Sequence, residues 1–121
     1  MNVVSVLGAS PKENRYSNKA VRRLKETGHR VIPVNPAYEE VEGLRAFAKV
    51  QDVARAVGVI DTLTVYLAPP NLELEDIIAA RPRRVIFNPG TESALAREAL
   101  DKANINWIEA CTLVLLSTGQ F

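Results

Sequence analysis

Residues 3–28 contain a strand, a glycine turn and the start of a helix, in that order. Residues 3–7 form an apolar run rich in valine, which is typical of a buried strand. The small residues Gly-Ala-Ser at 8–10 predict a sharp turn where this strand ends. Ser17 is placed to cap the following helix, and Gly28 stands where a left-handed residue ends it. Apolar spacing predicts an inward helix face made of Ala20, Val21 and Leu24.

This order of elements predicts an anion-binding site above the end of the first strand. N–H groups in the first turn of a helix lack intrahelical acceptors, and the positive end of the helix dipole lies beside them. Arg15, between the turn and the helix, can donate to two phosphate oxygens. The alternative is a plain structural turn, because glycine also serves simply to reverse the chain. The three-glycine dinucleotide pattern is not met, since Ser10 and Glu13 occupy its later positions, so NAD is not favoured.

The composition excludes several classes of protein. With 121 residues, 47% hydrophobic and 24% charged, the chain is expected to form one globular domain over residues 1–121. A formal net charge of +1 provides no long-range field for nucleic acid or anionic lipid. One cysteine and one histidine allow no internal disulfide and argue against a protein-held metal site. Neither a leader nor an apolar run of about 20 residues is found, so a cytoplasmic location is expected.

Strand-like and helix-like segments alternate along the rest of the chain. The further predicted strands are residues 30–34, 62–67, 83–87 and 106–108, with a shorter candidate at 44–47. The further predicted helices are residues 50–57, residues 72–80, a helix capped by Thr91 and a short helix in the tail. This alternation predicts an α/β fold, a Rossmann-like doubly wound parallel sheet in a single three-layer domain.

Two of these segments carry more detailed expectations. Pro33 has no N–H to donate, so one side of the second strand should be unpaired or irregular. The helix capped by Thr91 should hold Glu92 in its first turn. Its inward face is predicted to be Ala94, Leu95, Ala99 and Leu100.

Small, proline-containing turns end the main predicted strands. These turns are Gly8-Ala9-Ser10, Asn35-Pro36, Ala68-Pro69-Pro70 and Asn88-Pro89-Gly90. Because the carboxyl ends of parallel strands share one edge of a sheet, we expect the four turns to border one ligand crevice. The alternative is that proline and glycine merely punctuate loops, as they do in many proteins.

The same segments resemble a known family. Gly8-Ala9-Ser10 with Arg15-Tyr16-Ser17, then VIPVNP at 31–36 and FNPGTE at 87–92, are similar to small stand-alone coenzyme A-binding proteins. Their fold is similar to the N-terminal coenzyme A-binding domain of the succinyl-CoA synthetase α-subunit. The tail at 109–121 is also similar to tails seen in this group. The resemblance covers essentially the whole chain.

The resemblance implies a set of ligand-binding residues. Residues 8–10 would receive the pyrophosphate, Ser17 would open the helix beneath it, and Asn35-Pro36 would border the adenosine. The other implied residues stand at the third and fourth strand ends: Ala68, Pro69, Asn88, Pro89, Gly90 and Glu92. In one departure, Ala37-Tyr38 replaces the lysine that the synthetase holds there for nucleotide phosphates. In another, the synthetase's phosphorylated histidine belongs to a second domain without a counterpart here, so ligation chemistry is not implied.

No catalytic set is apparent among the crevice residues. A nucleophile–base pair, paired carboxylates or a metal ligand set would be expected of an enzyme. We therefore predict a small cytoplasmic protein that binds coenzyme A or a related nucleotide without catalysis. Two alternatives stay open: an NAD(P)- or coenzyme A-using enzyme or enzyme subunit completed by a partner, and an interaction module that has lost the ligand. Neither nucleic acid nor a membrane is predicted as a partner.

The sequence also allows predictions for three single residues, Cys111, Trp107 and Gly8. Cys111 has apolar neighbours and is predicted to lie in the core. Trp107 is predicted to pack inside the domain or against a second copy in a homo-oligomer. Gly8→Asp is expected to abolish anion binding and leave the fold intact, because a carboxylate would take the anion's place.

Overall fold

The computed structural model describes residues 2–121 and contains a five-stranded parallel sheet. Its strands, in chain order, are β1 (Val3–Leu7), β2 (Arg30–Val34), β5 (Thr62–Val65), β6 (Arg84–Phe87) and β7 (Asn106–Glu109). Their order across the sheet is β2-β1-β5-β6-β7, and every pair is parallel. The two remaining strands, β3 (Glu40–Val41) and β4 (Leu44–Arg45), form a separate antiparallel hairpin.

Helices cover both faces of this sheet. On one face lie α1 (Tyr16–Glu26) and α5 (Thr112–Ser117), which pack on Val4, Val6 and Val31. The other face is covered by α2 (Val50–Val57), α3 (Leu74–Ala80) and α4 (Ala94–Lys102). A 3₁₀ turn at Pro69–Asn71 follows β5. The predicted α/β, Rossmann-like, doubly wound sheet is therefore confirmed.

Pro33 lies on the edge strand, as its missing N–H requires. Its inner neighbour is Val6 of β1, and on its outer side the Phe47 N–H donates to the Pro33 carbonyl (2.9 Å). The Asn35 N–H then donates to the Phe47 carbonyl (2.9 Å), which leaves one isolated parallel bridge between Val34 and Phe47. The irregular side of β2 is confirmed, whereas the strand predicted at 44–47 is divided between β4 and this bridge.

Ser17 does not cap α1, contrary to the prediction. The helix begins at Tyr16, and Arg15 holds the cap position without a side-chain hydrogen bond. The Ser17 hydroxyl instead accepts the Ser10 N–H (3.2 Å), so it ties the glycine turn to the helix. The predicted inward residues Ala20, Val21 and Leu24 are all fully buried.

The cap of α4 was also predicted at the wrong residue. Thr91 donates its hydroxyl to the Asn88 carbonyl (2.7 Å), and Ser93 accepts the Ala96 N–H (3.1 Å) as the cap. Because the helix begins later than predicted, Glu92 lies outside its first turn. The inward face shifts accordingly: Ala94 and Leu95 are exposed, Ala99 is half-buried, and Ala96 joins Leu100 in the core.

Asp76 caps a helix other than its own. It lies in the first turn of α3 and is 7% exposed. Its two carboxylate oxygens accept the N–H groups of Val50 (2.8 Å) and Gln51 (3.0 Å) at the start of α2. Negative charge at a helix N-terminus is favourable, and here it also satisfies N–H groups that lack intrahelical acceptors.

Trp107 lies on β7, the far edge of the sheet from β2. Its ring makes an edge contact with Phe87 (6.5 Å between centroids), and the Arg97 guanidinium lies 5.7 Å from its centre. The indole N–H donates to Asp101 (2.8 Å). The prediction that Trp107 packs within the fold is thus confirmed.

Candidate functional site

A polar depression lies over the carboxyl ends of β1, β2, β5 and β6. Its volume is about 460 Å³. Thirteen residues line it: Gly8, Ser10, Lys12, Arg15, Tyr16, Ser17, Asn35, Tyr38, Tyr66, Ala68, Pro89, Gly90 and Thr91. We call this depression the polar site. Its position is the edge at which open α/β sheets bind ligands.

Most of the residues predicted for ligand binding meet at the polar site. Those that line it are Gly8, Ser10, Arg15, Ser17, Asn35, Ala68, Pro89 and Gly90. Those that do not are Ala9, Pro36, Pro69, Asn88 and Glu92. Residues of the lining that the sequence did not assign to a site are Lys12, Tyr16, Tyr38, Tyr66 and Thr91. The structure shows which residues line the polar site, and their contacts with a ligand stay predictions.

Gly8 forms the floor of the polar site and is held tightly. Its φ is +85°, and its N–H donates to the Val34 carbonyl (2.9 Å). A Cβ atom there would lie 2.9 Å from Leu67 Cδ2 and 3.2 Å from the Tyr66 carbonyl carbon. Any side chain is strained at this φ and must displace neighbours, so Gly8→Asp should also destabilise the fold, a cost that the sequence did not indicate.

Two of the three backbone amides at residues 8–10, the turn to which the resemblance assigns the pyrophosphate, are already engaged. The Gly8 and Ser10 amides already have acceptors within the protein. The hydroxyls of Ser10 and Ser17 act as acceptors, for the Lys12 N–H (3.1 Å) and the Ser10 N–H respectively. Because a hydroxyl donates as well as accepts, each keeps its own hydrogen for a ligand. The first-turn N–H groups of α1 join them, since its first intrahelical bond runs from Lys19 to Arg15 (3.1 Å).

Two cations border the polar site without a carboxylate partner. Lys12 and Arg15 are exposed, and neither forms an ion pair within residues 2–121. The neighbouring Arg22 differs, because it donates to Asn18 (2.8 Å) and to the Glu13 carbonyl (3.0 Å). Lys19 lies 5.1 Å from the centre of the Tyr16 ring. The start of α1 therefore carries uncompensated positive charge.

Asn88 and Glu92, both predicted to contact the ligand, bond within the protein. Asn88 is 2% exposed. Its amide nitrogen donates to Thr64 Oγ1 (2.7 Å) and to the Val65 carbonyl (2.9 Å), and its oxygen accepts the Thr112 N–H (2.8 Å). The Glu92 carboxylate accepts the Gly90 N–H (2.8 Å). Asn88 therefore joins β5, β6 and α5, and its side chain holds the fold together.

A smaller apolar cavity adjoins the polar site. Its volume is about 280 Å³. It is lined by Tyr16, Tyr66, Asn88, Pro89, Cys111 and Leu113, of which Tyr16, Tyr66 and Pro89 also line the polar site. Cys111 is half-buried at this cavity, so its predicted core position is wrong. The run of apolar residues around it indicated burial but gave no sign of a cavity.

Tyr66 stands between the two cavities with an unusual hydroxyl. The oxygen is buried and has no hydrogen-bond partner within residues 2–121. The Thr64 and Thr112 hydroxyls nearby bond to each other (2.8 Å). Burial raises the pKa of Tyr66 to about 12, and those two hydroxyls offset the rise only in part. The phenol is therefore a neutral donor at physiological pH and lacks an acceptor inside the fold.

Residues 2–121 contain neither a cluster of metal-ligating side chains nor a helix of membrane-spanning character. Histidine, cysteine, aspartate and glutamate side chains do not come together there in a group of three or more that suits a metal ion. Across the same residues, every helix is too short or too polar to cross a membrane.

Comparison with known proteins gives one family and several relatives. Residues 2–117 match a family model described as a CoA binding domain. A solved structure of a protein described only as uncharacterized superposes with a TM-score of 0.89 at 41% identity, covering 100% of this chain and 98% of that one.

Two curated relatives match shorter stretches. The Bacillus subtilis protein YneT, described as uncharacterized, is 29% identical over 63 residues, which is 52% of this chain and 44% of YneT. An ADP-forming acetate–CoA ligase of Methanocaldococcus jannaschii is 32% identical over 50 residues, 41% of this chain and 7% of the ligase. Each match thus spans less than half of the relative's own length.

Proposed function

This chain belongs to the CoA binding domain family, and we propose that it binds coenzyme A or a closely related nucleotide without catalysing a reaction of its own. The observation that carries the proposal is the convergence at the start of α1. There the hydroxyl groups of Ser10 and Ser17, the first turn of α1, and Lys12 and Arg15, which form no ion pair within residues 2–121, border one depression. A diphosphate is the anion that suits such a set of donors.

The two cavities suit the two ends of such a ligand. In our proposal the diphosphate lies at the start of α1 and the adenosine lies towards Asn35 and Tyr38, at the end of β2. The pantetheine arm extends the other way, past Tyr66 to Cys111 and Leu113 in the apolar cavity. Tyr66, Tyr16 and Pro89 line both cavities, so an arm that leaves the polar site past them enters the apolar cavity directly.

A thermal-shift screen tests the proposal. The ligands are coenzyme A, acetyl-CoA, ADP, ATP, NAD and NADP, each at millimolar concentration. A ligand that binds the folded state alone raises the melting temperature in a concentration-dependent way. We expect coenzyme A-type compounds to give the largest shift. A shift selective for nicotinamide nucleotides would favour the enzyme alternative, and no shift with any compound would favour an interaction module that has lost its ligand.

Arg15→Ala supplies the matching variant. Arg15 is exposed and forms no side-chain hydrogen bond or ion pair within residues 2–121, so its loss should leave the stability unchanged. We expect ligand affinity to fall about tenfold, the loss of one charge-assisted contact. Arg30→Ala is the control, because Arg30 is exposed at the opposite end of β2 and removes the same charge. Equal affinity in the two variants would contradict the placement of the diphosphate.

A further inference from the structure

We infer that the ligand is a short-chain acyl thioester of coenzyme A, and that its acyl group fills the apolar cavity. This inference rests on the proposed function and concerns the end of the ligand that lies farthest from the diphosphate. The apolar cavity adjoins the polar site and shares three lining residues with it. A ligand anchored by its diphosphate at the start of α1 can therefore extend its opposite end into this cavity, whose wall decides what that end carries.

The wall of the apolar cavity offers a ligand almost no hydrogen-bonding group. Asn88 is 2% exposed, and its amide already has three partners within the fold. The Tyr66 oxygen is buried, so it presents no surface to an occupant. Pro89 and Leu113 contribute apolar side chains, and Cys111 contributes a thiol, which is only a weak donor.

Such a wall favours an apolar occupant over a polar one. An amide buried without a hydrogen-bond partner is unfavourable, so the amides of the pantetheine arm do not suit this cavity. Methylene and methyl groups, in contrast, are stabilised when they leave water for apolar surroundings. The parts of a coenzyme A thioester that match the wall are the sulfur and the acyl chain. Free coenzyme A, which ends at the thiol, would leave most of the cavity without an apolar occupant.

The size of the cavity limits the length of the acyl group. Its volume is about 280 Å³. A methylene group takes about the volume of a water molecule in the liquid, ~30 Å³, so the cavity holds about nine non-hydrogen atoms. The last carbons of the arm and the sulfur fill about three of these positions, which leaves about six for the acyl group. This room suits a chain of about four or five carbons, such as butyryl, and is too small for a long fatty acyl chain.

A chain-length series provides the direct test. The compounds are free coenzyme A and its acetyl, butyryl, hexanoyl and palmitoyl thioesters, the last one below its micelle concentration. In isothermal titration calorimetry butyryl-CoA should bind about tenfold more tightly than acetyl-CoA, because each buried methylene raises the affinity about fourfold. Free coenzyme A should bind more weakly than butyryl-CoA, and palmitoyl-CoA should lose the gain.

The outcomes of this series separate the inference from the proposed function. Equal affinities for free coenzyme A and butyryl-CoA would overturn the inference and leave the proposed function intact. An affinity that keeps rising up to palmitoyl-CoA would indicate an open apolar surface instead of a bounded cavity, and would also overturn it. If none of the compounds binds, the proposed function fails, and the inference fails with it.

Cys111 reports where the acyl group lies, because it is the single cysteine of the chain and lines the cavity. Its alkylation by iodoacetamide is followed by mass spectrometry, with each ligand at saturating concentration. Butyryl-CoA should slow the reaction about tenfold, because reactivity depends on access to the thiol. ADP, which has the diphosphate but lacks the arm, should leave the rate unchanged. Equal protection by ADP and butyryl-CoA would contradict the inference.

Variants of Leu113 make the test more specific. Leu113→Phe places a larger side chain at the cavity and should reduce the affinity ratio of butyryl-CoA to acetyl-CoA from about tenfold to about one. Val114→Phe is the matched control, since Val114 is exposed on the same helix and does not line the cavity, and it should keep the ratio. If Leu113→Phe does not fold, Leu113→Ala should instead move the preference to hexanoyl-CoA. A ratio that is unchanged in both Leu113 variants would overturn the inference.

Discussion

Single residues in this protein have two kinds of constraint, one from the backbone and one from burial. Gly8 shows the first, because both its φ and its close neighbours disfavour a side chain. Tyr66 shows the second, because its hydroxyl is buried without a partner. Each constraint predicts a measurable change in stability.

Gly8→Ala should destabilise the protein much more than Gly90→Ala. The two glycines have nearly equal φ values, +85° and +90°, but a Cβ at Gly90 meets nothing within 4 Å. Both variants place a side chain at positive φ, which costs each of them about 1–2 kcal/mol. Gly8→Ala adds overpacking against Leu67 and Tyr66, which typically costs about 1–3 kcal/mol more. Urea unfolding of both variants measures the difference, and equal losses would show that the neighbours of Gly8 relax freely.

Tyr66→Phe should change how stability depends on pH. The folded pKa is raised to about 12 from an ordinary value of 10.0, so the stabilising effect of the neutral phenol is complete below pH 10 and is lost as pH rises towards 12. Between pH 10 and 12, the free energy of unfolding of the wild type should fall by about 3 kcal/mol more than that of Tyr66→Phe. Denaturant titrations at intervals from pH 8 to 12 test this. Parallel curves for the two proteins would mean that the phenol is accessible to water.

The secondary-structure elements were predictable where local composition determines them. The predicted and observed bounds agree for the elements at 3–7, 30–34 and 50–57. Short apolar segments that alternate in type along the chain can bury their apolar side chains in few other arrangements. Helix starts were harder to predict, because the Ser17 and Thr91 hydroxyls form hydrogen bonds with Ser10 and Asn88 and so do not cap the helices. Those partners come from turn geometry that residue type does not specify. The same reason explains why Tyr66 and Lys12 were missed as lining of the site.

Asp76 is the residue whose role at the element scale is least visible in the sequence. Local spacing places it near the start of α3, yet its carboxylate caps α2. Asp76→Ala should lower the free energy of unfolding by about 2 kcal/mol. It removes two charge-assisted hydrogen bonds and leaves the Val50 N–H buried without an acceptor. Glu75→Ala, an exposed neighbour in the same helical turn, should cost less than about 0.5 kcal/mol.

The measurement for this pair is chemical unfolding together with amide hydrogen exchange. In Asp76→Ala the amides of Val50 and Gln51 should exchange faster than in the wild type, whereas in Glu75→Ala they should be unchanged. Similar stability losses in the two variants would mean that the carboxylate of Asp76 contributes no more than a surface charge.

At the scale of the whole molecule, one buried polar group joins elements distant in the chain. Asn88 links β5, β6 and α5 through three hydrogen bonds, next to the hydroxyl pair of Thr64 and Thr112. Helix α5 therefore docks on the sheet through specific hydrogen bonds in addition to apolar contact. Since the same helix leads from Cys111 past the apolar cavity, its docking also sets the shape of the site.

Asn88→Ala should destabilise the fold and loosen α5. The Val65 carbonyl and the Thr112 N–H lose their partner, and each buried unsatisfied group costs about 1–3 kcal/mol. Asn106→Ala, an exposed asparagine at the start of β7, should be nearly neutral. Guanidinium unfolding gives the stabilities, and exchange of the Thr112 amide reports the docking of α5. Unchanged protection of that amide in Asn88→Ala would contradict this linking role.

The position of Trp107 has a practical consequence for all of these experiments. It is the single tryptophan of the chain, and it lies on the edge strand two strands from β5, held by Phe87, Arg97 and Asp101. Its fluorescence should consequently follow loss of the native state and stay silent when a nucleotide binds. One emission band thus reports denaturation directly, without a correction for optical changes caused by the ligand.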